Sequence, residues 1–379
     1  MVTIFHAADL HLGMRFLRKT EEVRNRLIQD RFDALTTIVH TANQESADFL
    51  VLAGDLFDTI QVGVQDTIVP TVNILSTFQG EAVLVLPGNH DFYEAKQAGE
   101  VALPLWTRFE RAAANHPKIQ VFTEEAVLSF EIAETKINFF PGICRSRHSR
   151  ENAIGWIRAV EKDPHALNIG IAHGNVDGYG LDQEGQYFNM TEQELRDSGV
   201  DFTLLGHIHV PFPTQKEVLA KPIFFMPGTT AQSAMGRRGK GSYWKIQCDG
   251  KNFQRAELRV SSEIEHLDWS NKVVNSEADI NQLIANMESL PEGKCLLRLH
   301  VSGRLSSVEL NDFRNRIQEF KGRFIELDYA DSIILNIDEA FINANYTQNS
   351  VAYKILSKLN EEDSEGLALQ VAYDLIRQK

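Results

Sequence analysis

Five short polar motifs constrain this chain more than any other feature, because each directly follows an apolar run that reads as a buried strand. Asp9-Leu10-His11 follows Thr3–Ala8, Gly54-Asp55 follows Asp48–Ala53, and Gly88-Asn89-His90-Asp91 follows the run ending at Pro87. His173 follows Asn168–Ala172, and Gly206-His207-Ile208-His209 follows Phe202–Leu205. Short apolar runs bounded by Gly, Pro or polar residues are the pattern of buried strands. Ligands in layered α/β folds gather at the carboxyl ends of strands, so five such ends are predicted to converge. Their side chains (Asp, His, Asp, Asn and three more His) are the inventory of a metal site.

The 379 residues suit two domains. Net charge is −14, from 38 basic and 52 acidic residues, which argues against a protein coated in basic surface. No apolar run approaches the roughly 20 residues of a membrane span. The start, Met-Val-Thr-Ile-Phe-His, enters a strand without a basic-then-apolar export signal. Cys144, Cys248 and Cys295 are few, odd in number and far apart, a usage that fits a reducing cytoplasm and no disulfide framework. The expectation is a cytoplasmic protein with no membrane contact.

Apolar spacing predicts helices over 21–43, 66–78, 97–114, with Pro104 bending or dividing the last, 149–161 and 191–198. Thr191 with Glu194 three residues on is a capping box. Strands over 119–122, 127–132 and 136–140, without helices between them, predict an antiparallel or mixed sheet. The first domain is expected over 1–265 and a smaller α/β domain over 275–379, joined through polar residues near 261–274. The latter reads as helix 278–287, strand 294–301, helix 308–320 and strand 323–330. Terminal helices over 349–359 and 364–377 close the chain.

Asp9 and His11 alternate by two, so extended backbone points both to one side, and His207 with His209 repeats the spacing. Asp55 offers two oxygens that can bridge two ions, Asn89 an amide oxygen, and His173 another imidazole. Donors of N and O without thiolate suit Mn2+, Fe, Zn2+ or a similar divalent ion. Seven ligands exceed the needs of one ion that must also hold water and substrate, and match two ions sharing Asp55. Two-metal sites generate a hydroxide and clamp both oxygens of an in-line phosphoryl displacement. Taken singly, each motif reads as a surface turn or a core histidine. All five in this order, each after a strand, do not.

In that order the motifs resemble the signature of the calcineurin-like metallophosphoesterases, over roughly residues 1–260. The resemblance implies a four-layer α/β/β/α sandwich with the metals at the strand ends. It implies that Asp9, His11, Asp55 and His209 bind one ion, and that Asp55, Asn89, His173 and His207 bind the other. By the same likeness His90 is a catalytic residue over the scissile phosphate, with Asp91 orienting its ring. The wording of the first, second and last motifs looks like the SbcD-type DNA repair nucleases, and Pro227-Gly228-Thr229 with Gly239-Lys240-Gly241-Ser242-Tyr243 looks more like the YhaO-type branch. Length and the small C-terminal α/β unit match a nuclease with a capping domain. The Gly-Asp-x-Val-Asp-Arg-Gly motif of the family's protein phosphatases is not present. Asp58 stands where some nuclease branches carry a second catalytic His, and is read as a residue that holds a neighbouring His.

That likeness implies a metal-dependent DNA exo/endonuclease of double-strand break repair, with two divalent ions, Mn2+ first and Mg2+, Fe or Zn2+ as alternatives. A small-molecule phosphodiesterase or phosphatase on the same scaffold is the alternative. Implied partners are DNA, a second copy of the chain through helices 66–78 and 97–114, and an SbcC-like SMC-type coiled-coil ATPase, for which the terminal helices are candidates. Arg15, Arg147 and Arg237 represent three basic loop clusters expected to bind substrate phosphates. Residues 187–190 and Trp244 are candidates to stack on bases, beside the plainer reading as core or rim. Against DNA, residues 261–379 hold 20 acidic and 12 basic residues.

Overall fold

The structure is a computed structural model, and it describes residues 1–95, 103–180, 184–235, 239–362 and 367–377. The chain divides into two compact units, the first made of Met1–Ser233 and Gly239–Ile264, the second holding the chain from Glu265 onward. In the first unit β1 (Val2–Ala7), β2 (Phe49–Ala53), β3 (Ala82–Leu86) and β4 (Ile119–Val121) are parallel neighbours. Next come β5 (Leu128–Ile132), β6 (Thr135–Gly142), β7 (Leu167–His173) and β8 (Phe202–Gly206). The first two pair antiparallel, and β6 to β8 run parallel. The short β9 (Pro211–Phe212) and β10 (Glu217–Val218) precede β11 (Phe224–Pro227), β12 (Gly241–Asp249) and β13 (Asn252–Ser262). Two sheets result, one ordered β10-β13-β12-β1-β2-β3-β4 and the other β5-β6-β7-β8-β11-β9.

Strand periodicity explains how the sheets stack. Phe5, Ala7, Leu50, Leu52, Val83 and Val85 face one core with the helices α1 (Glu21–Gln44), α2 (Val69–Leu75) and α3 (Leu105–Ala112). The alternate residues Val2, Ile4, Phe49, Val51, Leu84 and Leu86 meet Ile137, Phe139, Ile169, Phe202 and Phe225 of the other sheet. Behind that sheet Phe140, Leu205, Phe224 and Met226 pack on Ile157 and on Leu195 of α4 (Glu192–Asp197). The unit is therefore a four-layer α/β/β/α sandwich. Strands β2 and β3 are apolar throughout because both their faces are covered. Helix α1 starts at Thr20 with Glu21 and Glu22 in its first turn, where acidic groups are favoured. It buries Val23, Leu27, Leu35, Ile38 and Ala42 along one stripe.

Several sequence expectations are corrected. Of the helix expected over 149–161 only one 3₁₀ turn forms, Gly155–Ala159. Ser149 is held extended by hydrogen bonds with Gln186 and Phe188, and Asn152 Oδ1 turns the chain by accepting from Ile154 N. The helix expected over 66–78 opens with a π-helical turn, Val64–Ile68, before α2. Pro70 has no N–H to donate backwards, and the preceding turn widens so that Ile68 N donates to Gly63 O and Val69 N to Val64 O. Of the helix expected over 97–114, residues 96–102 lie outside the described residues, and α3 begins just after Pro104. Trp244 is fully buried in the inter-sheet core and donates to Met226 O, so it stacks on nothing from solvent.

The second unit has β14 (Glu265–Val274), α5 (Glu277–Glu288), β15 (Cys295–Leu305), α6 (Ser307–Glu319) and β16 (Glu326–Leu335). Its parallel sheet is ordered β14-β15-β16, with α5 and α6 packed around Leu297, Leu299, Met287 and Phe313. The stretch expected as a linker is thus largely strand β14. Its alternation is broken by a register shift between Trp269 and Lys272, which hid it. Helices α7 (Glu339–Asn345), α8 (Val351–Glu362) and α9 (Leu367–Arg377) share a small core of Ile337, Ile342, Leu356 and Leu369. Among the described residues no helix is long and apolar enough to cross a membrane.

Phe139 carries the packing between the sheets, with the rings of Phe49 and Phe130 at 5.1 and 6.0 Å. Phe139→Ala is expected to lower the unfolding free energy of this unit by about 3–5 kcal/mol, the usual range for deleting a buried phenylalanine. Urea unfolding followed by tryptophan fluorescence checks this.

Candidate metal centre

The carboxyl ends of β1, β2 and β3 in one sheet, and of β7 and β8 in the other, carry all seven expected ligands. Asp9 and His11 follow β1, Asp55 follows β2, Asn89 follows β3, His173 ends β7, and His207 and His209 follow β8. Cross-links tie the two sheets together here. His207 N donates to Asp9 Oδ2 at 2.9 Å, and His173 Nδ1 lies 2.9 Å from Ala53 O. A carbonyl can only accept, so His173 Nδ1 carries a proton, and Nε2 is the atom turned toward Asp55 and Asn89.

The ligand atoms fall into two sets. In the first, His11 Nε2 lies 3.9 Å from Asp9 Oδ1, 3.8 Å from Asp55 Oδ2 and 3.4 Å from His209 Nε2. His209 Nε2 lies 3.3 Å from Asp9 Oδ1. In the second, His173 Nε2 lies 3.3 Å from Asp55 Oδ2 and 3.0 Å from Asn89 Oδ1, which is 3.1 Å from His207 Nδ1. Donors about 2.1 Å from a shared ion are about 3.0–3.4 Å apart at octahedral or tetrahedral angles, close to most of these spacings. Asp9 Oδ1 is buried without a hydrogen-bond partner, an anionic oxygen that a cation would satisfy. The residues fit two divalent ions sharing Asp55.

The electrostatics follow from burial and crowding. Burial would raise the Asp55 carboxyl, but His173, His11 and His90 outweigh it and hold it below the usual carboxylate range. Burial pulls His173 down, yet the Asp55 and Asp9 carboxylates hold it up at about 9. Asp9 is likewise lowered, with His209 and His173 overcoming its burial. Burial, chiefly, takes His207 down to about 4, with His173 adding to it.

Holding these groups together strains the backbone. Asp9, His11, Asp55 and His207 have φ of 54°, 47°, 51° and 96°, the left-handed region that costs non-glycine residues about 1–3 kcal/mol each. Backbone bonds hold the first loops in place, Asp9 N to Gly54 O at 3.1 Å and His11 N to Asp55 O at 3.0 Å. The motif glycines make room: a Cβ on Gly206 would stand 2.1 Å from Ala53 O and 2.6 Å from His173 Nδ1.

The structure corrects the role expected of Asp91. Its two oxygens accept from Phe57 N at 2.9 Å and Gly88 N at 2.6 Å, so it fastens the loops of β2 and β3. Burial, with Asp55 adding to it, takes Asp91 up to about 7. The ring of His90 is oriented by Asp58, whose carbonyl lies 3.0 Å from His90 Nδ1. Asp58 Oδ1 also stands 3.5 Å from His11 Nδ1, so Asp58 braces a ligand and His90 together. Two further residues escaped the sequence reading. Thr229 Oγ1 donates to Asp9 O at 2.8 Å. Arg31, fully buried in α1, donates Nη1 to Leu10 O at 2.5 Å and reaches Met14 Sδ at 3.5 Å. Its signal was a charged residue inside an apolar helical stripe.

Of the expected phosphate-binding residues, Arg15 is exposed in the loop after His11, and Arg147 is exposed in the loop after β6. Next to Arg147, His148 packs on Tyr187 at 5.1 Å, and Tyr187 packs on His207 at 5.1 Å. Arg237 lies outside the described residues. In the 187–190 stretch Phe188 and Met190 are buried, leaving Tyr187 beside the ligands.

Ligand orientation by an outer partner is commonly worth 10–100-fold in metal affinity. Asp58→Ala is therefore expected to weaken divalent-metal binding by about that factor while leaving the fold intact. Competition with a chromophoric chelator measures it.

A family profile described as Calcineurin-like phosphoesterase matches residues 2–211. The chain is 28% identical over 267 residues to the uncharacterized metallophosphoesterase YhaO of Bacillus subtilis (strain 168). The match covers 67% of this chain and 60% of that protein, so the chain spans about six-tenths of the length of this relative. Among solved structures it is similar to the purple acid phosphatase PPD1 from yellow lupin (Lupinus luteus) seeds. Identity is 12% and TM-score 0.39, over 69% of this chain and 51% of that one. It is also similar to GAP50, the anchor in the inner membrane complex of Plasmodium, at 12% identity and TM-score 0.37, over 70% and 86% of the two chains. The profile spans more than half of the sequence and includes the first four motifs and the whole of the fifth, so the chain belongs to the calcineurin-like phosphoesterase family.

Proposed function

We propose that this protein is a dinuclear metal-dependent phosphodiesterase that cleaves DNA as an exo/endonuclease in double-strand break repair. The observation that carries the reading is the pair of ligand sets sharing Asp55, with His90 beside them. Asp9, His11, Asp55 and His209 would hold one ion, and Asp55, Asn89, His173 and His207 the other. Donors of N and O favour Mn2+, with Mg2+, Fe or Zn2+ as alternatives. Two such ions supply an activated water and neutralise charge developing on a phosphoryl group. His90 does the rest of the proton work. Its Nδ1 donates to Asp58 O, its N donates to Asp55 Oδ1 at 2.8 Å, and Nε2 is left to protonate the leaving oxygen. Its ring stands edge-on to His11 at 4.9 Å, beside the first set of candidate ligands.

In the same proposal the protein acts in the cytoplasm as a homodimer, with an SbcC-like SMC-type ATPase. Exposed Val351 and Ile355 on α8 and Leu367, Val371 and Leu375 on α9 support a partner surface for that ATPase. Support for DNA rests on the likeness of the motif wording and on the exposed Arg15 and Arg147.

The test is cleavage of labelled single- and double-stranded DNA with Mn2+, with Mg2+ and with chelator. Metal-dependent cleavage is expected, falling at least about 100-fold in His90→Ala, as for loss of a general acid, and abolished in Asp55→Ala. Hydrolysis of a small phosphodiester alone, sensitive to the same changes and unaltered by an added ATPase partner, would favour the small-molecule alternative. Cleavage that survives both substitutions would overturn the site.

A further inference from the structure

A cavity of about 350 Å³ opens in the first unit between α1 and the loops that follow His11 and Asp58. Met14, Ile28, Phe32 and Val62 give it an apolar floor, and Arg15 and Arg24 stand on its rim against one carboxylate, Asp66. Among the described residues neither arginine has an ion-pair partner. The cavity is continuous in sequence with the site: Met14 lies three residues past His11, and Thr59, another wall residue, follows Asp58. Asp58 touches both His11 and His90, at 3.5 and 3.0 Å.

Its walls are held from behind by two internal arginines. Arg31 reaches Met14 Sδ, and Arg108 donates Nη1 to Val62 O at 2.7 Å and Nη2 to Ile60 O at 2.6 Å. A pocket already rigid loses little freedom when it fills. Pockets of this size with an apolar floor and a few polar groups suit small planar ligands. Two guanidiniums at the rim add recognition of phosphate. A planar ring joined to a phosphate is a nucleotide.

We propose that this pocket holds the nucleoside next to the scissile phosphate, with its ring on the Met14, Ile28 and Phe32 floor and a flanking phosphate on Arg15 and Arg24. The inference rests on the phosphodiesterase reading and names the substrate's recognised part. It gives Arg15 a place in recognition that its loop position alone did not.

Thymidine 5′-(p-nitrophenyl phosphate) and methyl p-nitrophenyl phosphate share a leaving group and differ only in nucleoside against methyl. With Mn2+ the protein is expected to prefer the nucleoside ester by about tenfold or more in kcat/KM, mainly through KM, as base stacking commonly provides. Ile28→Trp, which fills the floor, and Arg24→Ala, on the half-buried rim, are each expected to bring that ratio towards one. Calorimetric binding of thymidine 5′-monophosphate in chelator reads the pocket without turnover and should weaken in both variants, with thermal unfolding confirming that they are folded. A ratio unchanged in both, or no preference and no nucleotide binding in the parent protein, overturns the pocket, while hydrolysis of the methyl ester would still support the phosphodiesterase reading. Nucleotide binding that both variants lose, with no metal-dependent hydrolysis of either ester, leaves the pocket and overturns that reading.

Discussion

Asp55 is the interaction on which the rest of the site depends. Its Oδ1 accepts the His90 backbone N–H, and its Oδ2 faces His11 Nε2 and His173 Nε2. One fully buried carboxylate thus touches loops from β1, β3 and β7. An isolated buried carboxylate is costly. This one is tolerable because imidazoles surround it and because its position suits two cations. The centre brings further donors to that carboxylate, including a second buried anion, Asp9, whose Oδ1 has no hydrogen-bond partner of its own. Asp91, a neighbouring carboxyl, is pushed up to about 7 by burial and by Asp55, and spends its oxygens on backbone amides.

The cost of this convergence is written in the backbone. Four ligands sit at positive φ, and three of them belong to the adjacent loops after β1 and β2. Strain of that kind persists only where surroundings over-determine it. Here the determinants can be named: amide bonds between the two loops, Thr229 on the Asp9 carbonyl, and Arg31 on the Leu10 carbonyl. Arg31 accepts full burial, which draws its pKa down to about 10 even though Asp58 and Asp30 oppose the shift. A buried cation in a helix that otherwise packs on apolar strands is a poor choice for stability alone. It makes sense as the brace of a loop that must place two ligands.

The convergence of the candidate ligands was legible in the sequence because strand period and loop position act locally. Five apolar runs end where five polar motifs begin, and no tertiary knowledge is needed to expect that Asp9, Asp55, Asn89, His173 and His207 lie at the carboxyl ends of strands. What escaped depends on contacts remote in sequence. Thr229 meets Asp9 across 220 positions, and the orienting carbonyl of Asp58 meets His90 across 32. No residue type marks a backbone carbonyl as a partner, so Asp91, the adjacent carboxylate, was the natural and wrong choice. Strand β14 was hidden by its register shift, and the 149–161 helix failed because an Asx turn at Asn152 and bonds from Ser149 compete with helical ones.

Net charge of −14 sets a further condition on any polyanionic substrate. At physiological ionic strength fields decay over about 8 Å, so the acidic surplus of residues 261–379 is felt only near the residues that carry it. What a phosphodiester meets at the centre is decided locally, by Arg15 and Arg24 on the rim and by the charge balance of the ligand sets. That balance runs against an anion while Asp9 and Asp55 are uncompensated, and reverses once two divalent cations sit among them. Metal loading therefore governs more than the chemistry. It decides the sign of the field a substrate enters at the ligand sets.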